Sequence, residues 1–111
     1  IRRGMPRFNA PHFEKNAELL PAFHEIAKEA GCTPAQLALA WVLYRGPHIH
    51  VIPGTTSIAH LEENVIATEV NLSSETISKV ETLINQNTVS GPRYPAGVQA
   101  EIDTEEFAGA A

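Results

Sequence analysis

Cysteine is almost missing: Cys32 is the one thiol in 111 residues. No internal disulfide can form, and a reducing, cytoplasmic setting is the expectation. Long hydrophobic runs are missing too, since no apolar stretch reaches the roughly 18 residues that a helical membrane span requires. The opening Ile1-Arg2-Arg3-Gly4 lacks the apolar centre of a secretory signal. It also lacks an initiator Met, which suggests that Ile1 is not a natural start. Basic excess is absent, because the formal charge is −5. Nucleic acid and membrane surfaces, which both call for clustered Lys and Arg, are therefore not the expected partners. There is no Gly-x-x-x-x-Gly-Lys-Ser/Thr phosphate loop, no internal repeat and no linker dividing two domains.

What remains is a moderately apolar chain, 43% hydrophobic, whose pattern is mostly helical. Residues 1–15 carry Pro6, Asn9 and Pro11 without an apolar period and read as a loop. Residues 16–86 then read as helices and one strand. In the first helix Leu20, Phe23, Ile26, Ala27 and Ala30 recur at spacings of three and four. Glu18, Glu25, Lys28 and Glu29 lie opposite, and Gly31 marks the stop. Pro21 is tolerated only near a helix start, so that boundary is open. Thr33-Pro34-Ala35-Gln36 begins the next helix with a cap, a proline at the first helical position and the glutamine of a capping box. The run Leu37 to Tyr44 has no polar face, which predicts a helix buried on every side, with Trp41 in the core.

His48-Ile49-His50-Val51-Ile52 reads as the one clear strand, ended by Pro53-Gly54. A third helix over about 57–67 places Ile58, Leu61 and Val65 on one side. A fourth is capped by Ser73, with Leu72 stapled to Ile77 and with Val80, Leu83 and Ile84 facing inward. Residues 87–111 read as a loose C-terminal tail, its Glu101–Glu106 stretch solvated. A single buried strand cannot satisfy its own backbone groups. The chain therefore either pairs with another copy or is the end of a longer α/β protein.

The stretch after that strand carries the chemistry. Gly54-Thr55-Thr56-Ser57 stands between a strand and a helix, where free N–H groups and the helix dipole favour an anion. A glycine admits a phosphate to the backbone, the hydroxyls add donors, and His60 lies one turn further on. Glu63 and Asn64, one turn beyond, could hydrogen-bond a flat heteroaromatic edge. The plainer alternative is a helix cap by Thr56 or Ser57 with Gly54 as the turn glycine. His48 and His50 would share one strand face, an arrangement that can hold zinc. No third ligand stands at a motif spacing, so no metal is expected. Cys32, after Gly31, reads as a small residue at a helix junction.

Two segments, GCTPAQLALAWVL at 31–43 and IPGTTSIAHLEEN at 52–64, resemble the C-terminal part of the aldo-keto reductases. PRFNAPHFEKN upstream and GPRYP downstream fit the same family, so the likeness covers about residues 6–95. The resemblance implies a (β/α)8 TIM barrel that reduces aldehydes and ketones by hydride transfer from NADPH. Residues 1–111 would form the C-terminal part of that single barrel domain, and the rest of the barrel would be required. The resemblance places Thr55, Thr56 and Ser57, after Gly54, at the adenosine 2′-phosphate, and Glu63 and Asn64 against the adenine. His60 stands where many relatives have Arg, which leaves the choice between NADPH and NADH open. The family's catalytic Asp, Tyr, Lys and His belong to earlier strands. Neither Tyr44 nor Tyr94 matches them, so no catalytic residue is expected here. Two rival readings remain: a non-catalytic helical module that self-associates through its lone strand, and a nucleotide-binding piece serving another chain.

Overall fold

A computed structural model of the chain describes residues 1–103. Among them the regular elements are helical: α1 His12–Ala17, α2 Leu20–Glu29, α3 Pro34–Tyr44, α4 Ile58–Ile66, α5 Ser74–Leu83 and α6 Ala96–Gln99. Single 3-10 turns stand at Arg2–Gly4, Pro6–Phe8 and Ala67–Glu69. The chain divides into two compact units, one formed by Ile1–Pro21 with the residues from Thr82 onward, the other by Ala22–Glu81.

The Ala22–Glu81 unit is organised around Ala27, Leu37 and Val80, with Phe23, Ile26, Cys32, Trp41 and Leu72 packed on them. One residue each from α2, α3 and α5 thus makes the dry centre. Pro21 is the second residue of α2, where its missing N–H costs no intrahelical bond. At the other end Gly31 takes φ +73°. Its N–H donates to the Lys28 carbonyl at 3.1 Å, while the Cys32 N–H donates to the Ala27 carbonyl at 3.0 Å. That pair of reversed bonds closes the helix and folds Cys32 back onto the cluster. Burial there pushes the Cys32 thiol up, because a thiolate is disfavoured away from water.

α3 begins as its sequence predicts. Thr33 Oγ1 accepts from the Gln36 N–H at 3.2 Å and Gln36 Oε1 accepts from the Thr33 N–H at 3.0 Å. Leu37 is fully buried and Ala40 nearly so. The expectation of burial on every side needs correction. Ala38 is exposed, Tyr44 is 56% exposed, and Trp41 is only half-buried beneath the Arg45 guanidinium, 5.1 Å from the ring. So small a unit has too few elements to cover all faces of an apolar helix. α5 is capped by Ser73, whose Oγ accepts from the Thr76 N–H at 3.0 Å, and it turns Ile77 and Val80 inward. Lys79 lies 2.7 Å from Glu29 of α2 and 3.2 Å from Glu75 one turn back. The hydrogen bond to Glu29, then that to Glu75, raises the Lys79 pKa; both pairs are exposed, so neither stabilises the fold much.

The strand expected at His48–Ile52 is not formed among the described residues. The Ile49 N–H bonds locally to the Gly46 carbonyl at 3.0 Å, and Ile52 is 96% exposed. A β-branched run gives the propensity for extended backbone, but a strand exists only with a neighbour to complete its ladder. No strand among the described residues supplies one. The shared-face argument for His48 and His50 lapses with it. No group of three metal-ligating side chains occurs among the described residues.

The other unit also departs from expectation. Residues 1–15, read as a loop, hold two 3-10 turns and the start of α1. The loose tail is anchored at Ser90-Gly91: Asn16 Nδ2 donates to the Ser90 carbonyl at 3.0 Å, and the Ser90 N–H donates to Asn16 Oδ1 at 2.7 Å. His12 Nδ1 lies 2.8 Å from Ser90 Oγ, and Arg7 Nε donates to the Gly91 carbonyl at 3.0 Å. Gly91 has φ +79°, and a Cβ there would stand 2.6 Å from the His12 ring, so only glycine lets the two segments meet this closely. These contacts join residues far apart in sequence, which is why the local pattern does not announce them. Of the expected solvated stretch Glu101–Glu106, residues 104–106 lie outside the described residues. No described helix is long and apolar enough to cross a membrane.

Candidate functional site

The turn before α4 is held by its own hydroxyls. Thr55 Oγ1 accepts from the Ser57 N–H at 3.1 Å and donates to the Ser57 carbonyl at 3.4 Å. Ser57 is the N-cap, its Oγ accepting from the His60 N–H at 3.3 Å. Ser57 therefore caps the helix, as the plainer reading expects. The Ser57 and His60 N–H groups are thereby engaged. Of the donors that a helix start leaves over, those of Ile58 and Ala59 are taken by no side-chain cap.

Beside this turn lies a cleft of about 410 Å³, lined by Ala35, Ala38 and Leu39 of α3, by Pro53, Gly54 and Thr55, and by His60, Glu63 and Asn64 of α4. Its volume falls in the range of about 300–1,000 Å³ usual for small-molecule sites. Five of the seven residues singled out in the sequence meet here: Gly54, Thr55, His60, Glu63 and Asn64. Thr56 and Ser57 are not among the lining residues. The sequence reading missed the opposite wall. Its signal lies in the small side chains of the Ala35 to Ala40 run, which keep that wall low although the apolar run reads as core.

α3 and α4 are fastened to each other beside the cleft. Gln36, whose Oε1 completes the capping box, donates from Nε2 to the Glu63 carbonyl at 3.1 Å. The Ala67 N–H turns instead to the Asn64 and Val65 carbonyls, so the glutamine takes up a carbonyl that the tightening end of α4 releases. Gln36 is itself buried.

Gly54 is informative for what does not surround it. It is outside the left-handed region, and a Cβ built on it would meet nothing within 4 Å. The chain's own geometry therefore gives no reason for glycine at this point. Bare backbone faces open space at the cleft, the condition for close approach by a ligand. Two lining residues can carry charge, His60 and Glu63. Tyr44 ends α3 at the surface, and Tyr94 belongs to the other unit.

Comparison with known proteins identifies the family. The model of the aldo/keto reductase family matches residues 2–85. A protein of Schizosaccharomyces pombe named as an NADP(+) aldo-keto reductase is 41% identical over 102 residues, 92% of this chain and 30% of that protein. An aldo-keto reductase of Strobilurus tenacellus is 38% identical over 107 residues, 96% of this chain and 32% of that protein. The chain belongs to the aldo-keto reductase family. It spans about a third of the length of these relatives.

Proposed function

We propose that the chain is the C-terminal part of a single aldo-keto reductase barrel domain, residues 1–111, in an NADP(H)-dependent oxidoreductase that reduces aldehydes or ketones by hydride transfer. The nicotinamide cofactor supplies the hydride when bound; the residues of this segment contribute binding. Gly54, Thr55, Thr56, Ser57 and His60 hold the adenosine 2′-phosphate, and Glu63 and Asn64 meet the adenine. The observation that carries the reading is the cleft. It gathers Gly54, Thr55, His60, Glu63 and Asn64 around bare backbone that the fold itself does not require. The Ile58 and Ala59 N–H groups and the positive end of α4 favour an anion beside it. Family membership and the NADP(+) in one relative's name support the same cofactor. The remaining strands of the barrel supply the catalytic acid and base and a ladder for residues 48–52. Membrane and nucleic acid have no part in this reading, and the setting is the reducing cytoplasm.

The test is calorimetric titration of the chain with adenosine 2′,5′-bisphosphate and with adenosine 5′-monophosphate. Thr55→Glu places a like charge at the phosphate and should weaken the bisphosphate at least about tenfold, the scale of one charge-assisted hydrogen bond, while sparing the monophosphate. Gly54→Ala should weaken both nucleotides yet leave the melting temperature unchanged or slightly higher, since φ there suits alanine. Equal effects of Thr55→Glu on the two nucleotides would reduce the turn to a helix cap and retire the phosphate site.

A further inference from the structure

We infer that this site reads its phosphate through a proton on His60, so that discrimination between the 2′-phosphorylated nucleotide and its unphosphorylated counterpart depends on pH. The inference rests on the phosphate-site reading above and concerns how that site is regulated. Its basis is the census of the cleft. The α3 wall, Ala35, Ala38 and Leu39, carries no ionisable group, and neither does Pro53-Gly54-Thr55. From α4 the lining contributes His60, Asn64 and Glu63. One group here can become a cation, and it is an imidazole. The other ionisable group is a carboxylate, which is charged at neutral pH and repels a phosphate.

A guanidinium at this position would stay charged at any working pH. Histidine is the side chain whose ordinary charge change falls between about pH 5 and 8. When His60 is charged it opposes Glu63 and adds a charge-assisted bond to the phosphate. When it is neutral, the anion faces the helix end, the neutral donors and an unopposed carboxylate. The backbone of His60 is fixed by its bond to Ser57 Oγ, so the ring is attached at a constant point on α4 while its charge varies. The phosphate's own second ionisation, near pH 6, adds negative charge as the pH rises. A loss of affinity between pH 6.5 and 8 would therefore be assigned to the protein and not to the ligand.

The experiment uses this chain and the same two nucleotides, titrated between pH 6 and 8, with His60→Gln and His60→Arg alongside. His60 is exposed, so both replacements are compatible with the fold. For the unaltered chain, the preference for the bisphosphate over the monophosphate should fall about tenfold as the pH rises, the scale of one charge-assisted hydrogen bond. His60→Gln should show a low preference and His60→Arg a high one, neither falling as the pH rises. In proton NMR, the titration midpoint of the His60 ring should move up on adding the bisphosphate and stay put with the monophosphate. A preference that is strong and does not fall as the pH rises in the unaltered chain would overturn the proton switch and leave the phosphate site standing. No preference at any pH in the unaltered chain, or in His60→Arg, would remove the phosphate site and the switch together.

Discussion

Gln36 shows how much one side chain can hold. Its Oε1 closes the capping box of α3, its Nε2 takes the Glu63 carbonyl of α4, and it is buried while doing both. Gln36→Leu keeps the volume and removes both bonds, leaving the Thr33 N–H and the Glu63 carbonyl short of a partner. An unsatisfied group costs about 1–3 kcal/mol when buried and less at part-buried positions such as these, so urea melts should show a loss of about 2–4 kcal/mol. Gln36→Glu retains the acceptor for Thr33 and loses the donor, and should fall between the two. Half of this role is legible in sequence. Thr33-Pro34-Ala35-Gln36 is a local code for a helix start, whereas the bond to Glu63 crosses 27 residues and leaves no mark in either segment. Gly54 is the opposite case, because its neighbours in sequence suggest a turn glycine and the backbone shows that no turn requires one.

At the scale of elements, helix ends were the most readable features, since stop and start signals lie within a few residues of the atoms they satisfy. Gly31 is such a signal. An alanine there keeps φ positive at a cost of about 1–2 kcal/mol, so Gly31→Ala should lower stability by that amount. Gly54→Ala, outside the left-handed region, should not, and the pair makes an internal control in one set of thermal melts. The strand was the least readable element. Nothing in His48–Ile52 states whether a neighbour exists, and among the described residues none does. The spacing of Ile58, Leu61 and Val65 marks an apolar stripe on α4, yet the three are 77%, 52% and 59% exposed. Periodicity identifies a face that needs covering; the cover is a matter of the rest of the protein.

For the whole molecule, that uncovered stripe and the exposed Ile52 are the expected state of a chain that spans about a third of its relatives' length. Exposed contiguous apolar surface binds hydrophobic dyes and other apolar faces. The isolated chain should therefore enhance the fluorescence of anilinonaphthalene sulfonate, and Leu61→Lys should reduce that signal without lowering the melting temperature. Retention of full dye binding in Leu61→Lys would place the dye elsewhere. The isolated chain should also show no aldehyde-dependent oxidation of NADPH above the buffer rate, because the acid and base of the reaction are supplied by the remaining strands in the proposed reading. Turnover by the purified chain would mean that a proton donor within these residues has been overlooked.

The Asn16–Ser90 clasp bears on the order in which the chain can fold. Closing a flexible loop across those 74 positions carries a length term of roughly 4 kcal/mol, about as much as the part-buried hydrogen bonds of the clasp return at roughly 1 kcal/mol each. The closure becomes clearly favourable once Phe23 and Val80 have met in one cluster, which shortens the free chain to two brief tethers. The clasp is then a late step that reports completion of the cluster, and it opens first when that cluster loosens.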